Sequence, residues 1–357
     1  METVPIDEFL VYLEAGRPVF DARTPAEFAK GHLPGARNLA LFDDEERAQV
    51  GTIYKQQSRR AAILEGLDIV GPKMRRLVEE VESSVGPPPA DILVHCWRGG
   101  MRSASLAWLL EFYDYQVCTL AGGYKSFRRW VLDQLDRMPP LIVVGGYTGS
   151  GKTEILSALA ARGEMVIDLE ELAGHRGSAF GGLQLPEQPT QQQFENQLAT
   201  EISWARQSGR PVWIEDESRL IGRRALPKAM IEAKRIAPVL FVEASTEARV
   251  ERLLGVYGDA SADLLRQGFH KIRKRLGGLR TKQAMQAVDD GNLADAAEIA
   301  LNYYDQAYDY GLSHRRDERI HRLTIDGGPG AIADALIEFH QTISDQIAAY
   351  DLCEQDH

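Results

Sequence analysis

The chain has 357 residues, 44% apolar and 26% charged, an ordinary globular mixture that excludes a fibrous repeat or a disordered chain. At roughly 150 residues per domain, this length predicts two domains, or three at most. Forty-one basic against 52 acidic residues leave a net charge of −11, which on average argues against a polyanionic partner.

No apolar run approaches the ~18 residues of a membrane span, so no membrane association is expected. Glu2, Asp7 and Glu8 precede the first basic residue, a pattern unlike a secretory leader. The three cysteines, Cys96, Cys118 and Cys353, cannot close a disulfide framework and lack metal-ligand spacing. A cytoplasmic protein, monomeric or weakly oligomeric, is expected.

The first half alternates short apolar runs with helical patterns. Pro18–Asp21, Ile92–His95 and Gln116–Leu120 read as strands, with helices at Pro25–Lys30, Lys73–Ser83 and Arg102–Phe112. That alternation predicts a parallel sheet. Pro87-Pro88-Pro89 forms a stiff connector before the second strand. Met138-Pro139-Pro140 divides the chain into domains 1–137 and 138–357. The pattern then restarts with a buried strand at Leu141–Val144 and a helix from Thr153 to about Ala161. Further strands are predicted at Met165–Leu169, Pro211–Glu215, Val239–Glu243 and Leu323–Asp326, and residues 246–310 read as mostly helical and basic.

Between the strand at Ile92 and the helix at Arg102 lies His95-Cys96-Trp97-Arg98-Gly99-Gly100-Met101-Arg102-Ser103. A cysteine there faces free backbone N–H groups and the positive end of a helix dipole, both favouring the thiolate. Gly99 and Gly100 let the amides converge, and Arg98 and Arg102 add positive charge. Such a loop holds an anionic sulfur or persulfide. Cys118 lies in an apolar strand run and reads as core. Cys353 sits in an acidic tail that disfavours its thiolate.

This loop resembles that of rhodanese domains. Asp21-Ala22-Arg23-Thr24-Pro25-Ala26-Glu27-Phe28, then Gly31-His32-Leu33-Pro34-Gly35-Ala36-Arg37-Asn38, resembles the upstream rhodanese signature, and Leu120-Ala121-Gly122-Gly123-Tyr124 the closing one. The resemblance implies a rhodanese-like fold in which Cys96 carries a transferable chalcogen as a persulfide or perselenide.

Gly146-Tyr147-Thr148-Gly149-Ser150-Gly151-Lys152-Thr153 fits G-x-x-x-x-G-K-[ST] between a strand and a helix. Its amides converge on a diphosphate, Lys152 reaches an outer phosphate, and Thr153 can ligate Mg²⁺. The acid that completes such a site belongs at the end of a neighbouring strand, with Asp168, Glu215, Asp216 and Glu217 as candidates. Whether ATP is the ligand stays open. His175, Arg176 and Ser178 in H-R-G-S-A-F-G, and Ser218 and Arg219 in E-S-R-L-I-G, mark candidate substrate loops; Arg249 and Arg252 share a helix face suited to phosphates.

The acidic average hides a basic region. From Arg219 to Lys282 there are 15 Lys/Arg against 6 Asp/Glu, leaving 26 against 46 elsewhere. Lys271, Arg273, Lys274, Arg275, Arg280 and Lys282 have no acid between them, and Gly277-Gly278 predicts a helix end followed by a loop. Arg315, Arg316, Arg319 and Arg322 extend the basic character. This surface suits a nucleic acid backbone or, failing that, is a solvated helix face.

A rhodanese-like domain joined to a P-loop NTPase-like α/β domain with H-R-G-S-A-F-G and E-S-R-x-I-G resembles the tRNA 2-selenouridine synthase family. That resemblance implies replacement of sulfur by selenium in wobble-position 2-thiouridine of tRNA. It implies selenophosphate and geranyl diphosphate as co-substrates, with Mg²⁺ expected. A selenophosphate-producing enzyme is a candidate partner. Two other classes stay open: an ATP-dependent small-molecule kinase or ligase with a sulfur-transfer domain, and a binding module for tRNA or phosphopeptide.

Overall fold

The computed structural model describes residues 2–315 and 317–354, without the side chains of 317 and 344–354. Arg316 and the Cys353 side chain therefore lie outside the described residues. The chain divides into two compact units, 1–134 with 192–200, and 135–191 with 201–357.

The first unit contains β1 (Glu2–Val4), α1 (Ile6–Glu14), β2 (Val19–Asp21), α2 (Pro25–Lys30), β3 (Arg37–Asn38) and α3 (Asp44–Gln56). It continues with α4 (Arg59–Val70), α5 (Met74–Val85), β4 (Asp91–His95), α6 (Met101–Phe112), β5 (Gln116–Leu120) and α7 (Gly123–Leu135). Its sheet is parallel throughout, in the order β1-β5-β4-β2-β3. In β4, Ile92, Leu93 and Val94 are wholly buried, each contributing about 1.5–3 kcal/mol of apolar burial. Ile92 and Val94 pack with Phe20 against Leu77 and Val81 of α5 and Leu106 and Leu110 of α6.

The second unit contains β6 (Leu141–Gly145), α8 (Lys152–Ala161), α9 (Leu169–Ala173), α10 (Gln191–Ser208, of which residues 192–200 belong to the first unit), β7 (Val212–Glu215), β8 (Leu220–Ile221), β9 (Arg224–Ala225) and α11 (Lys228–Ile236). Then follow β10 (Val239–Glu243), α12 (Thr246–Tyr257), α13 (Ala262–Leu276), α14 (Gly278–Asp289), α15 (Leu293–Leu312), β11 (Ile320–Thr324) and α16 (Pro329–Glu354). The parallel sheet runs β11-β10-β6-β7, beside a small antiparallel β8-β9 hairpin. Ile155, Leu156 and Leu159 of α8 and Ala333 and Leu336 of α16 pack on it. Helices α13 to α15 close a separate apolar cluster that also takes in Tyr257, the last residue of α12.

The α/β class and both parallel sheets match expectation; three local expectations do not. Met165–Leu169 forms only a bridge from Val166 to Trp213, because the Asp168 side chain accepts from the Glu171 N–H and turns the chain into α9. The last strand is Ile320–Thr324, displaced from Leu323–Asp326, since its register is set by β10 and Asp326 falls beyond the pairing. Gly277 (φ +89°) ends α13, but α14 begins at the next residue, so Arg280 and Lys282 lie on a helix instead of a loop. Among the described residues no helix is long and apolar enough to cross a membrane.

Candidate functional site

In the first unit the tight β4–α6 connection places Cys96 at the start of α6, whose N-cap, Gly100, offers no side-chain cap. The cysteine sulfur fills that role. The Gly100 N–H donates to Cys96 Sγ at 3.3 Å, and Ser103 Oγ lies 3.2 Å away. Burial alone would push the thiol up; the Ser103 hydroxyl and the amides of Gly100, Ser103 and Arg98 outweigh it and hold the pKa below the ordinary thiol value.

The closing L-x-G-G segment braces this loop. Tyr124 N–H donates to Cys96 O at 2.8 Å and Lys125 N–H to Trp97 O at 3.0 Å. Gly123 (φ +59°) has no room for a side chain: a Cβ there would fall 2.3 Å from Cys96 O.

Arg98 is exposed and contributes its backbone amide. Arg102 instead pairs with Glu27 at 2.5 Å, so its charge is directed at that carboxylate. Beneath the loop, Arg23 and Asp21 form a buried pair at 2.6 Å, and the Arg23 guanidinium stacks 3.7 Å over the Tyr124 ring. Burial pushes His95 down, so it is neutral and its 3.7 Å approach to Asp21 is no ion pair. Cys118 is buried in β5, and burial first, then Glu2, push it up to about 11, as suits an inert core thiol.

In the second unit the β6–α8 connection is the glycine loop. Gly146, Gly149 and Gly151 hold φ of +153°, +81° and +89°, and the Lys152 ammonium donates to Gly146 O at 3.0 Å. Ser150 Oγ is buried with no hydrogen-bond partner among the described residues. Arg249 and Arg252 serve the loop backbone: Arg249 donates to Thr148 O at 2.8 Å and pairs with Asp305, while Arg252 donates to Gly149 O at 2.6 Å. Arg249 is thus a buried brace and not a phosphate contact; Arg252 also lines the cleft.

The loop opens on a cleft of about 2680 Å³, partly open to solvent. Asp168, Glu170, His175, Arg176, Ser178, Asp216, Glu217, Ser218 and Arg275 line it, together with Lys152 and Thr153. Arg219 is exposed in the hairpin segment and is not part of that lining. His175 is held below its ordinary value by burial and then by Lys271.

Three of the four candidate acids have distinct roles, and Glu217 lines the cleft. Asp168 caps α9. Asp216 is enclosed by Lys234 (3.4 Å), Arg315 (2.7 Å) and the Tyr308 hydroxyl (2.8 Å). Glu215 accepts from the Glu170 N–H at 2.7 Å, and its buried Oε2 has no partner among the described residues. The acid that meets the Thr153 hydroxyl, at 3.4 Å, is Glu170. Burial first, then Glu217, push its carboxyl up to about 8. Expecting a strand through Leu169 hid Glu170; the Asp168-x-x-Glu171 capping spacing was the signal that could have placed a helix there.

No three His, Cys, Asp or Glu side chains among the described residues form a metal-ligand group. The Thr153–Glu170 pair and that buried Glu215 oxygen nevertheless fit Mg²⁺, which takes one or two carboxylates alongside water and substrate phosphate.

The basic residues Lys271, Arg273, Lys274 and Arg275 are exposed on α13, and Arg280 and Lys282 on α14. Only Arg275 lines the cleft, while Lys271 reaches Ala179 O at 3.5 Å.

Comparison with known proteins agrees with both units. A rhodanese-like domain family model matches residues 6–129, and one described as the tRNA 2-selenouridine synthase AAA domain matches 139–339. The tRNA 2-selenouridine synthase of Shewanella loihica is 36% identical over 352 residues, covering 89% of this chain and 93% of its own. That of Bordetella petrii is 38% identical over 339 residues, covering 85% and 88%. That of Marinobacter nauticus is 35% identical over 364 residues, covering 92% and 96%. A family model spanning more than half the chain and relatives matched over nearly their whole length lead to one conclusion: the chain belongs to the tRNA 2-selenouridine synthase family.

Proposed function

We propose that this tRNA-modifying transferase replaces sulfur by selenium in wobble-position 2-thiouridine, using selenophosphate and passing through an S-geranyl intermediate. The observation that carries the reading is the pair of chemically distinct stations on one chain. One is a thiol cradled by amides and a hydroxyl that hold its pKa below the ordinary thiol value; the other is a phosphate loop facing an acidic cleft.

Sulfur at C2 of the base is a poor leaving group as sulfide and a better one as a thiol. At the phosphate loop, the thiocarbonyl sulfur attacks the first carbon of geranyl diphosphate. The carbon–oxygen bond breaks with its electron pair on diphosphate, and the base loses its N3 proton. Amides of Gly149 to Thr153 and Lys152 hold the departing phosphates. Thr153 and Glu170 would hold Mg²⁺, which supplies charge neutralisation for the diphosphate when bound.

At Cys96, selenide freed from selenophosphate by hydrolysis of its phosphorus–selenium bond attacks the Cys96 sulfur of a mixed disulfide with an external thiol, expelling that thiol and leaving the perselenide. The terminal selenium then adds to C2 and geranyl thiolate departs. An external thiol then attacks the Cys96 sulfur, leaving the sulfur–selenium electron pair on selenium. The Ser103 hydroxyl and the Gly100 amide stabilise the anionic chalcogen. The exposed cations of α13 and α14 offer a sequence-independent track for the tRNA backbone.

Nucleoside mass spectrometry of tRNA incubated with the protein, geranyl diphosphate and selenophosphate tests this. Omitting selenophosphate should leave S-geranyl-2-thiouridine, and omitting geranyl diphosphate should leave 2-thiouridine. Selenouridine formed without geranyl diphosphate would overturn the order of steps.

A further inference from the structure

A second cavity adjoins the phosphate cleft and shares Thr148, Ser178, Leu253, Tyr257 and Tyr304 with it. Part of the cavity is open to solvent, and its walls are predominantly apolar. No charged residue lines it. Its polar groups are confined to the shared rim. Beyond that rim the walls are hydrocarbon and aromatic: Phe180, Phe269 of α13, Val288 of α14, and Leu293, Ala296 and Ala297 of α15.

The H-R-G-S-A-F-G loop links the two spaces. Gly177 sits against the Glu170 and Glu217 carboxylates, where a Cβ would fall 2.7–2.8 Å from their oxygens. Three residues on, Phe180 is buried in edge contact with Phe269, ring centroids 5.0 Å apart, and lies so close to Gly268 that a Cβ there would fall 2.2 Å from its ring. The Tyr304 hydroxyl fixes the turn by accepting from the Ala179 N–H at 3.0 Å. One loop therefore forms a wall of the polar cleft with its first half and of the apolar cavity with its second.

A nucleoside base placed in this cavity would bury several donors and acceptors against hydrocarbon, leaving them unpaired at a large desolvation cost. A hydrocarbon chain loses nothing there and gains from burial. Thr148 belongs to the phosphate loop and to the cavity rim alike, so one ligand can span both. We infer that the cavity enclosed by Phe180 and helices α12 to α15 is the tail site for the hydrocarbon chain of a diphosphate ester, with Ala296 and Ala297 in its wall. This inference rests on the reading of the glycine loop as the diphosphate site and extends it to the chain that the diphosphate carries.

Calorimetric titration of the full chain with Mg²⁺ and, separately, geranyl diphosphate, inorganic diphosphate and ATP tests it. Geranyl diphosphate should bind at least about tenfold more tightly than inorganic diphosphate, a factor that burying two methylene groups already supplies. Ala296→Phe should remove most of that advantage while leaving inorganic diphosphate binding unchanged, which also reports that the variant is folded. Should Ala296→Phe fail to fold, Ala297→Phe, at a half-buried position, carries the same expectation. Unchanged geranyl diphosphate affinity in a folded, filled variant overturns the tail site. So does selective loss of ATP binding, which would make the cavity a nucleoside site. If inorganic diphosphate fails to bind while geranyl diphosphate binds and is lost on filling, the loop assignment falls and the tail site stands. Failure of every ligand to bind the wild type overturns both.

Discussion

The cysteine loop and the phosphate cleft place reactive groups by opposite means. Around Cys96 the work is done by backbone: the Gly100 amide, the Tyr124 and Lys125 amides, and glycines that permit contact with no side chain between. Its main parts lie within a short stretch plus one bracing segment. The cleft is built from side chains drawn from several distant segments: Lys152 and Thr153, Glu170, Glu215 to Glu217, Tyr308 and Arg315. A backbone-built site tolerates no added Cβ; a side-chain-built site depends on which acid meets which cation.

The largest effect is expected at the nucleophile. Cys96→Ser should lower selenouridine formation by on the order of 10³ or more, the scale for losing a covalent nucleophile, while S-geranylated tRNA accumulates. Selenouridine at the wild-type rate, read by nucleoside mass spectrometry, would sink the carrier role. On the cleft side, replacing Lys271, Arg273, Lys274 and Arg275 with alanine should flatten the log–log salt dependence of tRNA binding by about three units. All tRNAs should weaken alike, because phosphate contacts position without reading sequence. An unchanged slope would make α13 a solvated face.

Lys152→Ala should weaken geranyl diphosphate by about 10- to 150-fold, from roughly 1.5–3 kcal/mol for a charged hydrogen bond. It should spare selenation of tRNA geranylated beforehand; loss of both steps in a folded variant would show that the two stations are not separable. Gly123→Ala attacks the backbone-built site directly. The left-handed φ and the 2.3 Å approach to Cys96 O predict a loss of about 1–3 kcal/mol in stability. A wild-type melting curve for Gly123→Ala would mean that the loop yields without cost.

The same contrast explains what the sequence made legible. Gly99, Gly100, Gly122 and Gly123 are visible because a backbone-built site writes itself as glycines at fixed spacing, and the phosphate loop is visible for the same reason. Glu170 was not, because its role depends on where α9 begins and on contact with Thr153 across the fold. Charge alone points Arg102 and Arg249 at an anion, because their partners Glu27 and Asp305 are remote in sequence. Helices α3 and α4 escaped for a further reason. Helix α3 buries no residue and α4 only Ala62 and Val70, so neither carries a clear apolar stripe. Their caps, Asp43-x-x-Glu46 and Ser58, were the available signal.

The smallest expected effect separates the two contributions inside the cysteine loop itself. Ser103 Oγ lies 3.2 Å from Cys96 Sγ and the Gly100 N–H donates to it at 3.3 Å, with the amides of Ser103 and Arg98 also favouring the thiolate. Because the folded thiol pKa lies below the ordinary value, the thiolate is present above that folded pKa and is lost as pH falls through it. Ser103→Ala removes one stabilising donor and moves the folded pKa upward, so the thiolate fraction at neutral pH falls. With a net hydrogen bond worth about 0.5–1.5 kcal/mol, the neutral-pH alkylation rate of Cys96 by iodoacetamide should drop about two- to twelve-fold. At pH values above both midpoints the two rates should converge, since each protein is then fully ionised. A rate deficit that persists at high pH would show that Ser103 controls access to the sulfur. An unchanged profile would assign the whole depression of the pKa to the backbone amides.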